Sequence, residues 1–181
     1  MKDWFLTLKG EPFTAFGTSH FSMLFLYAAC VFLLLIFRKN IIHNNSAFQR
    51  IRWILFTILI ASESSYQIWT AIHGIWFKNL PFHLCGVAGI IGAIALFTLH
   101  RKLIAIIFFI GLIPAFLAIL TPELLYDFPN VRYFKFFFHH IAISVTSIFL
   151  AMTSKPGTIT MKSMLETYFY LVLYALFVGF I

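Results

Sequence analysis

An all-α, polytopic transmembrane helical bundle is the fold class that this sequence predicts, on three observations. Of 181 residues, 61% are hydrophobic and only 10% charged, with a mean hydropathy of +0.93, which is not the composition of a soluble domain. Six apolar runs, at about 20–37, 53–73, 81–99, 103–121, 133–153 and 164–181, each approach the ~20 residues that carry a helix across a bilayer. The basic residues lie in short clusters between those runs, as loop flanks do. The whole chain, 1–181, is thus expected to form a single integral membrane domain. The net charge of +7 does not indicate a nucleic-acid partner, because no one face gathers it. The first apolar run begins about twenty residues in and is followed by others, unlike a cleaved signal peptide. Cys30 and Cys85 are the only cysteines, and Cys30 sits inside an apolar run, so a structural disulfide is not expected.

Short connections make consecutive helices antiparallel neighbours. The loops after the first, third and fifth runs carry Arg38, Lys39, Arg50, Arg52, Arg101, Lys102, Lys155 and Lys162. The opposite side carries Lys2, Lys9, Lys78, Arg132 and Lys135. This excess predicts a multi-pass protein of the cell membrane, bacterial inner or plasma membrane, with the N-terminus outside. The first run opens with Thr18-Ser19-His20, where the histidine either joins an outer-face site or anchors the helix at the interface. The second carries Glu63 near its middle, and helical spacing continues it through Tyr66, Gln67, Thr70 and His73 as a polar stripe that must face the bundle interior. Glu63, Tyr66 and Gln67 are candidate substrate-binding residues. The fourth contains Gly111 and Pro114, a kink signal, and ends at Thr121-Pro122-Glu123; the loop from Glu123 to Lys135 is placed to cover the outer mouth. In the fifth, His140 continues into Ser144 and Ser147, a more polar face than that of His139, so His140 is expected to point inward. The sixth ends abruptly at Ile181, at a membrane surface or a truncation.

Leu80-Pro81-Phe82-His83-Leu84-Cys85-Gly86 opens the third run, with a histidine and a cysteine where polar groups are costly. Pro81 suits a first helical position, with Asn79 or Leu80 as cap. Cys85 then lies near a positive helix end, whose field favours thiolate over thiol. The same face continues through Ala88, Gly89, Gly92 and Ala93, all small; such a stripe either admits another helix closely or leaves a groove for an acyl chain, which makes Gly89 and Gly92 substrate-binding candidates. Antiparallel threading puts Cys85, His140, His73 and His20 at one depth, with Glu63 below them. A thiol beside an imidazole is the raw material of a histidine-activated nucleophile. His83, Cys85, His139 and His140 also include zinc-ligand types, but His83 and Cys85 diverge by about 200° on a helix, so no metal site is expected.

The run Leu80-Pro81-Phe82-His83-Leu84-Cys85, Thr121-Pro122 after a proline-containing helix, and Arg132-Tyr133-Phe134-Lys135-Phe136-Phe137 followed by His140 resemble the signature of YwaF-type bacterial integral membrane proteins, a group similar to the animal transmembrane protein 164 family. The resemblance covers the second through sixth runs. It implies a helical bundle and, through the animal relatives, a cysteine-dependent acyltransferase acting on membrane phospholipids, with Cys85 as acyl acceptor, His140 as its partner and no cofactor. His83 matches the histidine of the motif, and His139 completes the candidate catalytic set. Gly86, Lys135 and His139 depart from the residues usual at those positions, and the resemblance implies a further helix before which this chain stops. The expected function is therefore an integral membrane acyltransferase or transacylase working through a cysteine thioester. The alternatives are a proton-coupled small-solute transporter using Glu63, Gln67 and His140, and a structural membrane protein without catalysis.

Overall fold

A chain this apolar has no partner for its backbone polar groups in lipid except itself, and in the computed structural model every long apolar run is helical. The structure describes residues 10–78, 80 and 82–179. Among these are helices α1 (Thr18–Ile36), α2 (Arg38–His43), α3 (Asn45–Ile72), α4 (Leu84–Thr98), α5 (Arg101–Leu120), α6 (Val131–Thr153) and α7 (Met161–Gly179), with a 3-10 turn at Trp76–Lys78. No strand forms among the described residues; one isolated bridge pairs Pro12 with Tyr126.

Helix α6 is the hub. It packs against α1, α2, α3, α4 and α5, while α7 packs mainly on α5. The sequence accounts for this centrality: Ser144, Thr146 and Ser147 are buried with Ile143, Phe149 and Leu150, and small or β-branched residues let five neighbours approach. Ser147 Oγ lies 2.9 Å from the Ile107 and Ile143 carbonyls, where the hydroxyl stitches α6 to α5 at Gly111. The outer helices show the reverse pattern. Phe25, Phe32 and Leu33 of α1 and Tyr168, Phe169 and Phe177 of α7 are exposed, a surface that water would not tolerate and lipid does.

Among the described residues, four helices are long and apolar enough to cross a membrane: α1, α5, α6 and α7. Two of the six expected spans take another form. The run at 53–73 is the second part of the 28-residue α3, whose polar stripe dilutes its hydropathy. The run at 81–99 yields α4, with only 15 residues, or about 22 Å of rise against the ~30 Å of a hydrocarbon core. Helix α4 starts three residues later than the Pro81 expectation, with His83 in extended conformation as its N-cap and no side-chain cap bond. Pro81 and Asn79 lie outside the described residues, as do Lys2, Lys9 and Ile181. At its other end Leu99 turns left-handed at φ 54°, and Arg52 of α3 donates from Nε to the Leu96 carbonyl (2.5 Å) and from a terminal nitrogen to that of Phe97 (2.7 Å). That guanidinium satisfies carbonyls a helix end leaves open. Pro114 lies within an uninterrupted α5.

The stripe of small residues is packed, not open. Ala88, Gly89, Gly92 and Ala93 are all buried. A β-carbon on Gly89 would come within 2.6 Å of the His139 ring, and one on Gly92 within 3.3 Å of Leu59 and 3.5 Å of Ile107. Gly89 and Gly92 therefore do not border an acyl groove; neighbouring side chains occupy the space their missing β-carbons leave.

Candidate functional site

A cavity of about 630 Å³ opens where α4 begins, α5 ends and α6 begins. Its wall includes Tyr66 of α3, His83 and Cys85 at the start of α4, and Arg132, Lys135 and His140 of α6. Leu124 and Leu125, from the loop between α5 and α6, close part of it, and that loop is tied to the N-terminal segment by an Asp127 N–H donating to the Glu11 carbonyl (2.9 Å).

Helix α6 presents its chemistry to this cavity in successive turns. Asn130 caps it, its side-chain oxygen accepting from the Arg132 N–H at 2.9 Å. One turn on, Lys135 Nζ stands 3.1 Å from Glu63 Oε2 and 5.0 Å from the centre of the Tyr66 ring. Gln67 Nε2 donates to the other Glu63 oxygen at 2.7 Å. Both members of the ion pair are largely buried, so neither charge is left alone in a poorly polar setting.

The two histidines that follow do different things. His139 has no exposed surface; its Nδ1 is 2.8 Å from Ser62 Oγ and its Nε2 3.2 Å from the Cys85 carbonyl oxygen. Since a carbonyl only accepts, Nε2 carries the proton, and Nδ1 accepts from the serine. Nε2 is also 3.8 Å from Glu63 Oε2. His139 thus pins α6 to α3 and to the first turn of α4. His140, 7% exposed, donates from Nδ1 to the Phe136 carbonyl of its own helix at 2.6 Å. That bond leaves Nε2 as the basic nitrogen of a residue on the cavity wall, the wall that also holds Cys85. His83 is exposed on the same wall. Loss of water on its packed side, and next the charge of Lys135, pull its pKa below the usual imidazole value, against the opposite pull of Glu63.

The remaining expected site residues are elsewhere. His20 is fully buried, with Nδ1 accepting from the Phe16 N–H and Nε2 2.8 Å from the Ile119 carbonyl, where it joins α1 to α5. His73 bonds the Trp69 carbonyl at 2.8 Å and lies tilted against that ring, 4.4 Å between centres. Glu63 does not lie below the histidine layer: its contacts with Lys135 and His139 put it level with them. The reason is that Glu63 reaches sideways to α6. Sequence reasoning missed Ser62 as the partner of His139, and it read Arg132 and Lys135 as orientation signals and members of the family signature without giving either a role in the site. Lys135 stands one turn before His139, a spacing that marks a shared face.

A model of the TMEM164 family matches residues 15–181. No curated protein and no solved structure matches the chain.

Proposed function

The chain belongs to the TMEM164 family of membrane proteins, and from that premise we propose that it moves fatty acyl groups between membrane phospholipids through a thioester on Cys85. The observation that carries this reading is that Cys85 and His140 line one cavity, with the Nδ1 of His140 engaged by its own helix and Nε2 left basic.

The chemistry follows from those two groups. His140 Nε2 takes the Cys85 thiol proton, and the sulfur attacks an ester carbonyl of a phospholipid. Collapse of the tetrahedral species breaks the bond to the glycerol oxygen, and the imidazolium returns its proton to that oxygen, releasing lysophospholipid and leaving acyl-Cys85. A second lipid hydroxyl, deprotonated by the same Nε2, attacks the thioester and takes the acyl group; the departing thiolate recovers the proton. Cys85 stands in the first turn of α4. Helix α4 brings that turn to the cavity wall. We place this site in a bacterial cell membrane, with the N-terminus outside.

Purified protein in mixed micelles, given phospholipid with a labelled acyl chain, should exchange the label and form a hydroxylamine-sensitive adduct on Cys85. Cys85→Ala should abolish both, and His140→Ala should slow adduct formation. Exchange that survives Cys85→Ala ends the proposal. The ion pair of Glu63 with Lys135 weighs against a proton-coupled path, because a carboxylate held by an ammonium and an amide is a poor carrier. Solute flux in liposomes that Glu63→Gln abolishes and Cys85→Ala spares would reverse that preference.

A further inference from the structure

Arg132 is unusual among the cations of the cavity wall. Its Nε is buried and has no hydrogen-bond partner, and among the described residues no carboxylate lies within 4.0 Å of its guanidinium. Its charge is met by the Trp69 ring, 5.4 Å from the guanidinium carbon. A ring face engages the flat side of a guanidinium and leaves its in-plane N–H edges open. Such an edge matches the paired oxygens of a phosphate. The two acids nearby do not supply that match: Glu63 is held by Lys135, and Glu123, also on the wall, is exposed.

We infer that Arg132 holds the phosphodiester of the phospholipid whose ester is presented to Cys85 and His140, an inference that rests on the lipid-transfer reading above. The order of groups along the helix supports it. Arg132 lies in the first turn of α6 and His140 eight residues further, a rise of about 12 Å. A phospholipid in a leaflet carries its phosphate at the interface, its esters just beneath and its chains below those. Guanidinium and imidazole follow one another along α6 in the order that such a molecule needs, and the thiol shares their cavity wall. Lys135, between them on the wall, has its charge taken by Glu63, which leaves Arg132 to meet the phosphate. The site would thereby select glycerophospholipids over neutral glycerides with the same chains.

The test separates binding from chemistry. Full-length protein carrying Cys85→Ala is titrated in mixed micelles with dioleoylphosphatidylcholine or with dioleoylglycerol, with and without Arg132→Gln or Arg132→Lys, and bound lipid is measured directly. Arg132→Gln should weaken phospholipid binding about 10- to 100-fold and leave dioleoylglycerol binding unchanged, with Arg132→Lys restoring only part. Equal losses for both lipids, or no loss, overturn the inference. So does stabilisation by millimolar inorganic phosphate that Arg132→Gln removes while phospholipid binding does not change, since that would identify free phosphate as the ligand. On the background with Cys85 intact, the KM for phospholipid should rise with Arg132→Gln while kcat is largely kept. Binding that depends on Arg132 in a protein that transfers no acyl group would overturn the proposed function alone.

Discussion

Replacing Gly89 with Ala is the perturbation that most directly probes how the site is held. The added carbon would stand 2.6 Å from Cε1 and 2.8 Å from Nε2 of His139, so the ring must move by about 1 Å to reach ordinary contact. The ring cannot move freely, because it is fully buried and bonded to Ser62 and to the Cys85 carbonyl. Weakening those two bonds costs about 0.5–1.5 kcal/mol each, and overpacking adds to that. Alanine recovers up to about 1 kcal/mol through its better helix propensity. The expected net loss is therefore about 1–5 kcal/mol, or a fall of roughly 2–20 °C in Tm for a chain of this size. Thermal unfolding in detergent, followed for Gly89→Ala, His139→Ala and the double variant, measures it. The double variant should lose less than the sum of the two, because removing the imidazole makes room for the methyl group. A Tm that rises in Gly89→Ala, or strict additivity in the cycle, would refute the close packing of these residues.

Three further outcomes are expected. Ser62→Ala leaves the buried His139 Nδ1 without its donor and should cost about 1–3 kcal/mol, read as a lower Tm. Arg52→Leu removes both donors at the C-terminal end of α4 and should cost roughly 1–3 kcal/mol, with Arg52→Lys intermediate because an ammonium cannot reach both carbonyls in the plane of a fork. The pKa of His83 lies lower in the folded than in the unfolded chain, so the unfolded chain binds the extra proton. Its contribution to stability is complete above about pH 6.5, the unfolded value, and declines as pH falls below it. Tm measured from pH 7.5 to 5 should fall less steeply in His83→Asn.

How much of the site was legible depended on which residues carried a periodic or compositional mark. Glu63 could be placed because an acid in an apolar run has to find company, and it has Gln67 and Lys135. Cys85 could be placed near a helix start from the proline ahead of it, although the start is at Leu84. The roles of His139 and His140 were less legible, since neighbours on a helix point about 100° apart and both point to protein here: one into the α3–α4 seam, the other to the cavity. Arg132 had a charge and a place in the family signature, and neither assigned it a role in the site.

Sequence alone determined the membrane character, the helical class and the approximate runs, because a bilayer rewards apolar length and penalises open backbone wherever the helices later sit. It also determined that polar side chains within those runs would need partners. Which partners they took was decided only when α6 settled among five neighbours. That packing sent Glu63 to Lys135, His139 to Ser62 and the Cys85 carbonyl, and the small stripe of α4 to a ring and two aliphatic chains instead of a groove. Period and composition specify a face within one helix; the pairing of faces depends on the fit of side-chain volumes across all of them at once.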